Sequence, residues 1–168
     1  GSIFWFYVEM YHGVEQSQKT KLVPVQKTTE YPNLSGLQVL IAEDNPTNQM
    51  VICSMLKKYQ IQPVLAADGM EAFNYITQQQ ENLDIVFMDC EMPNMDGYTA
   101  TRQIRAWEQQ HRMNEVLIYG VSAHALSEYQ QRGLAAGMNK FMVKPLKQQD
   151  LLLEQVVEHG LPVLELLN

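Results

Sequence analysis

One feature constrains this chain more than any other: an alternation of five short apolar runs with segments of helical spacing. The runs are "LQVLIA" (Leu37–Ala42), "PVLAA" (Pro63–Ala67), "IVFM" (Ile85–Met88) ending in Asp89, "VLIYGVS" (Val116–Ser122) and "KFMV" (Lys140–Val143). Within them apolar residues follow one another rather than alternating with polar ones, which predicts strands covered on both faces. After the first run, Ile52, Met55, Leu56 and Tyr59 fall at i, i+3, i+4 and i+7, and Pro46 stands where a helix tolerates a missing N–H. Asp68 to Glu71 has capping-box spacing and opens a helix with Gly69, Ala72, Phe73 and Ile76 inward. A third helix starts in the stretch that ends at Arg105, and a fourth runs from about Leu126 to a glycine stop at Gly137. A last one is expected from about Gln148 to His159, stopped by Gly160. Strand–helix alternation of this kind makes an α/β domain: a doubly wound parallel sheet with right-handed crossovers and helices on both faces. Ligands then bind beyond the carboxyl ends of the strands, near the point where strand order reverses.

The strand ends are where chemistry concentrates. Strand one ends in Glu43-Asp44, strand three in Asp89, strand four in Ser122-Ala123 and strand five in Lys144-Pro145. The second ends in Ala66-Ala67 and offers nothing obvious. Carboxylates brought this close repel by roughly 4 kcal/mol per pair at an effective dielectric of 20. They coexist only if protonated or if they share a hard divalent cation, for which Mg²⁺ is the natural candidate. A carboxylate nucleophile, a cation, a lysine and a hydroxyl suit phosphoryl transfer: the acid attacks phosphorus while positive charge neutralises the equatorial oxygens. Pro93 and Gly97 shape the loop after Asp89 so that backbone groups face the metal.

In these residues the chain resembles the receiver domain of two-component response regulators, from about Leu37 to His159. "AEDN" is similar to the acidic pair, "MDCEMPNMDG" to the phosphoacceptor strand and its loop, "VSAHA" to the switch Ser/Thr-Ala, and "KFMVKP" to the switch aromatic and Lys-Pro. The resemblance implies a flavodoxin-like sheet of order 2-1-3-4-5. It implies that Asp89 is the phosphoacceptor, that Asp44 and Asp89 ligate Mg²⁺ directly, Glu43 mainly through water, and Glu91 by its backbone carbonyl. Lys144 would pair with the phosphoryl group, and its peptide to Pro145 would be cis. Ser122 would swing to a phosphoryl oxygen with Phe141 turning in behind it, so that the helix-four, strand-five, helix-five face reports the change. Phe141 lacks the hydroxyl of a tyrosine. Glu91 and His124 stand where side chains modulate the hydrolytic water.

At the amino end, "IFWFYV" (Ile3–Val8) reads as a buried strand, and Tyr11 to Ser35 has the Gln, Lys, Thr and Pro content of a linker. "GSIFWFYV" resembles the closing strand of a histidine kinase ATP-binding domain, although Gly1-Ser2 reads equally as an appended dipeptide. The expected layout is a remnant of a preceding domain (1–10), a linker (11–35), a receiver (36–160) and an apolar tail (161–168). It points to the C-terminal receiver of a hybrid histidine kinase. The domain itself would catalyse its own phosphorylation and dephosphorylation, whereas the parent chain would be a protein-histidine kinase. The partners implied are a histidine kinase domain, in cis in that layout, and a histidine phosphotransfer domain; a homodimer through the helix-four face is compatible with both. The location implied is cytoplasmic, with the parent anchored in the inner membrane.

The remaining composition mostly excludes. Net charge is −7, with 12 basic against 19 acidic residues, which lacks the basic footprint of non-specific nucleic-acid binding. No apolar run nears the roughly 18 residues of a membrane span. Cys53 and Cys90 lack metal-site spacing and read as reduced, buried thiols. Met92 and Met95 read as packing around the loop. A haloacid-dehalogenase-type phosphatase also uses an aspartyl nucleophile with Mg²⁺, but wants a second acid two residues on followed by Thr or Val; here Glu91 precedes Met92 and Pro93. A pseudo-receiver that only docks partners would have lost an acid or the lysine. A stand-alone regulator is the alternative that the first thirty-five residues argue against.

Overall fold

The computed structural model describes residues 31, 33–79 and 83–151. The expectations placed on the first thirty residues, the helix beyond Leu151, Gly160 and the tail lie outside the described residues. In chain order the elements are β1 (Val39–Ala42), α1 (Pro46–Lys57), β2 (Val64–Ala66), α2 (Gly69–Gln79), β3 (Ile85–Asp89), α3 (Gly97–His111), β4 (Leu117–Ser122), α4 (Ser127–Ala136) and β5 (Lys140–Val143). A single 3₁₀ turn at Gln148–Asp150 follows. The five strands form one parallel sheet of order β2-β1-β3-β4-β5. Every expected strand is present, each trimmed by at most two residues at an end.

Alternate residues of each strand serve opposite layers. Val39, Ile41, Phe87, Tyr119 and Val121 pack with Ile52, Leu56 and Tyr59 of the α1 side. Leu40, Val86, Met88 and Ile118 pack with Ala72 and Ile76 of α2 and Ala100 and Ile104 of α3. β1 and β3 are buried along their whole length. The outer strands are not: Leu65 of β2 is 46% exposed and Val143 of β5 39% exposed. An edge strand reaches past the helices that cover the sheet's middle, so an apolar run there is only half covered.

Local signals place the helix starts. Asn45 caps α1 by accepting from Thr47 N (2.9 Å), with Pro46 first in the helix. Asp68 Oδ1 accepts from Glu71 N (2.8 Å), and Glu71 reaches back to the Ala67 N–H (2.8 Å), one residue beyond the usual capping box. Asp96 caps α3 through Thr99 N (2.7 Å). Gly137 ends α4 at φ 101°, a left-handed conformation that glycine adopts without steric cost. The loops that leave β1, β3, β4 and β5 therefore open at one edge of the sheet. None of the described helices is long and apolar enough to cross a membrane.

Candidate functional site

Glu43 follows β1 directly, Asp89 is the last residue of β3, and Lys144 follows β5. β1 and β3 are neighbours in the sheet, and the connections run outward from them in opposite directions, so this is the point of strand-order reversal. Here Glu43, Asp44 and Asp89 each bring a carboxylate oxygen within 4.8 Å of the others. Glu43 and Asp89 are buried, at 2% and 5% exposure, while Asp44 faces solvent. Lys144 Nζ donates to Glu43 Oε2 at 2.6 Å and to Asp89 Oδ2 at 2.7 Å.

These contacts divide the work among the acids. Glu43 is fully engaged: Oε1 accepts from Asn48 Nδ2 (2.9 Å) and from Asn45 N (3.3 Å), and its carbonyl accepts from Gln49 Nε2 (2.7 Å). Its amide donates to Ala66 O (3.1 Å), so the end of β2 holds the acid's backbone. Among the described residues, Asp89 Oδ1 takes only the Glu91 N–H, at 3.2 Å. Burial pushes the Asp89 carboxyl up from the ordinary aspartate range, Lys144 opposes that and Glu43 adds to it; the net direction is up. Burial would pull the Lys144 ammonium down, but its bonds to Asp89 and Glu43 outweigh it and hold the lysine protonated. Three carboxylates against one ammonium leave a formal charge of −2 on oxygen donors alone, a set that suits a hard divalent cation.

The other expected residues gather around this cluster. Ser122 ends β4 fully buried, and its hydroxyl accepts from His124 N at 3.0 Å. Lys144 N donates to Ser122 O at 2.8 Å, which ties β4 to β5 beside the site. His124 Nε2 lies 3.0 Å from Glu91 Oε1, and its ring stacks on Tyr129 with centroids 4.3 Å apart. These exposed side chains link the β3–α3 and β4–α4 loops. Phe141 is half-buried against the layer of α2, α3 and α4. Its ring lies over Gly120 and Gly133, where an added Cβ would meet it at 3.2 and 2.9 Å. The Lys144–Pro145 peptide is cis, as expected. Gly97 packs so closely on the Asp89 carbonyl that a Cβ would strike it, which gives the glycine its reason. Met92 and Met95 are buried in the loop as expected, and Cys90 is buried, but Cys53 is only partly so. Sequence reasoning missed Asn48 and Gln49, which grip Glu43 from the first turns of α1. Their signal was faint: polar residues on the strand-facing side of an otherwise ordinary helix start.

The fold and the cluster together define a doubly wound domain with an acidic, lysine-braced pocket at its switch point. Comparison with known proteins names the family. The response regulator receiver domain matches residues 39–156, and the chain belongs to that family. It is 33% identical over 165 residues to hybrid signal transduction histidine kinase K of Dictyostelium discoideum, covering 95% of this chain and 13% of that protein. It is 33% identical over 156 residues to the autoinducer 2 sensor kinase/phosphatase LuxQ of Vibrio vulnificus, covering 90% of this chain and 17% of that protein. The chain thus spans under a fifth of the length of these curated relatives. Among solved structures, the receiver domain of sensor histidine kinase PA1611 from Pseudomonas aeruginosa, with magnesium in its active-site cleft, is 38% identical at a TM-score of 0.61, covering 74% of this chain and 96% of that one. The receiver domain of Saccharomyces cerevisiae Ssk1, crystallised with the histidine phosphotransfer protein Ypd1, is 31% identical at a TM-score of 0.64, covering 72% and 85%.

Proposed function

We propose that this domain accepts a phosphoryl group on Asp89 from a phosphohistidine and works within a hybrid histidine kinase, passing the group to a histidine phosphotransfer partner. The observation that carries the reading is the double contact of Lys144 Nζ with Glu43 and Asp89 inside the acidic cluster. In the transfer, an Asp89 carboxylate oxygen forms the new P–O bond as the P–N bond to the donor imidazole breaks. The electron pair stays on the imidazole nitrogen, which takes a proton. Lys144 holds its positive charge where the phosphoryl oxygens arrive, in a partly buried site that weakens its screening by water. Asp44, Asp89 and the Glu91 carbonyl would hold Mg²⁺, with Glu43 next to it; bound there, it neutralises phosphoryl charge that the lysine alone cannot. Ser122 would turn its hydroxyl from the His124 N–H to the phosphoryl group, and Phe141 would move with it, altering the face of α4 and β5. Glu91 and His124, joined across the mouth, would set how fast water reaches the product. The relatives named above, and the Mg²⁺ and phosphotransfer partner in the solved structures named with them, support the assignment.

The test is intact mass spectrometry after incubation with acetyl phosphate, with and without Mg²⁺, beside Asp89→Ala. The expected result is one added phosphoryl group that needs Mg²⁺ and is absent from the variant. No adduct on the unaltered protein, together with no beryllofluoride binding, would overturn the reading and leave a docking module.

A further inference from the structure

The β3–α3 loop, residues 90–96, must present the Glu91 backbone to the acidic cluster, and bonds from its flanks hold its two ends. Glu91 N donates to Asp89 Oδ1 at one end, and Gly97 N donates to Cys90 O (3.3 Å) at the other. In the middle the backbone turns sharply. Met95 N donates to Pro93 O at 2.6 Å, and Asn94 sits at φ 60°, in the left-handed region that asparagine tolerates better than most residues. A turn of this kind needs outside support to hold one shape, and support comes from the start of α2, just after the strand that brings no charged or nucleophilic side chain. Asn94 Nδ2 donates to Asp68 Oδ2 at 2.8 Å, across 26 residues of sequence. Beside it Gly69 N donates to Met95 O at 3.1 Å, with Gly69 so close to the loop that a Cβ would collide with Met95.

We propose that Asp68 and Asn94 form a latch that positions the β3–α3 loop, making both of them positioning residues for cation binding and phosphoryl transfer at Asp89. Three observations favour this over a purely structural tie. First, Asp68 stands outside the carboxylate cluster but bonds the loop that leads away from Asp89. Second, its two oxygens have separate tasks, because Oδ1 caps α2 through Glu71 N while Oδ2 holds Asn94. The latch can therefore be removed without uncapping the helix. Third, the carboxyl is held below the ordinary aspartate range, first by the Asn94 bond and then by the Glu71 N–H, so the bond is made to the ionised form. The inference rests on the proposed function above, since a loop needs positioning only if the site works.

The variants separate these roles. Asn94→Gly keeps the left-handed turn and the α2 cap and deletes only the tie. Asn94→Asp sets carboxylate against carboxylate. Asp68→Asn with Asn94→Asp exchanges donor and acceptor at unchanged net charge. Mg²⁺ affinity is read by NMR or calorimetric titration, alongside amide exchange of Gly69 and Gly97 in metal-free protein and thermal melting. Groups that orient metal ligands without binding the metal typically shift affinity by about 10–100-fold. The latch therefore predicts about tenfold weaker Mg²⁺ binding in both single variants, near-native binding in the double variant, faster exchange at both glycines in the singles, and little change in melting. Unchanged affinity in Asn94→Gly, or no recovery in the double variant, would overturn the latch alone. An unaltered protein that neither binds Mg²⁺ nor takes a phosphoryl group would overturn the proposed function and the latch together.

Discussion

The two ends of the sheet hold buried charge in opposite ways. At the carboxyl end Glu43, Asp44 and Asp89 face one ammonium, and among the described residues the only bond to Asp89 Oδ1 is a 3.2 Å amide contact. At the amino end Arg105 of α3 meets Glu108 at 2.7 Å, with Glu108 just 1% exposed. The rest of that guanidinium donates to Gly137 O, Val116 O and Asn139 Oδ1, each at 2.9 Å. The other Glu108 oxygen takes Val116 N at 2.9 Å, and Asn139 Oδ1 also takes Ile118 N at 2.8 Å. The buried charges pair one to one there with their hydrogen bonds met, the exposed Glu115 lying 3.9 Å from the same guanidinium, and the network joins α3, the start of β4 and the end of α4. A balanced cluster stabilises a fold. An unbalanced one holds charge in reserve for a ligand.

The sharpest test of that contrast is Lys144→Met, which removes the ammonium touching both Glu43 and Asp89. Phosphorylation by acetyl phosphate is expected to slow by a factor on the order of 10²–10³, as for other groups that stabilise transition-state charge. A variant that phosphorylates normally would break the comparison. Glu108→Ala should do the reverse. Breaking a buried pair from one side costs about 3 kcal/mol, which lowers the melting temperature by roughly 10 °C in a domain of this size. Below that melt the protein should still take one phosphoryl group by mass.

A smaller effect follows from the direction of the Asp89 shift. Its folded carboxyl titrates above the ordinary value of 3.8, so the folded state binds the extra proton and ionisation costs stability as pH rises through the folded value. Asp89→Asn in metal-free buffer is therefore expected to raise the melting temperature by a few degrees at pH 7. The gain should fade as pH drops below the unfolded value, which melting curves at pH 3.5 and 7 would show. The smallest effect concerns Cys90, immediately after Asp89. Burial pushes its thiol up to about 11, and the Cys53 thiol is also raised but is less enclosed. Thiol labelling under native conditions should reach Cys53 first and Cys90 only on unfolding. Rapid native labelling of Cys90 would show the floor of the site to be open.

Much of this is legible in the sequence. Strand runs, helix periods and the Gly137 stop are set by neighbours within a few residues, and so is the fact that Glu43, Asp89 and Lys144 stand at strand ends. Coverage of the edges was not legible, since the apolar runs at Leu65 and Val143 look like the central ones. Nor were the braces: Asp68 reads locally as a helix cap, and its bond to Asn94 depends on how two loops meet. The Arg105 network spans up to 34 residues for the same reason.

The sequence by itself determined which elements form and which side chains end them, because periodicity, capping and turn chemistry act over a few residues. Only the tertiary structure decided what those ends amount to together. Lys144 lies 101 residues from Glu43 and 55 from Asp89, and strand order alone brings its ammonium within 2.7 Å of both. Coulomb energy depends on distance and on how much water is excluded, and neither quantity exists until the sheet is assembled.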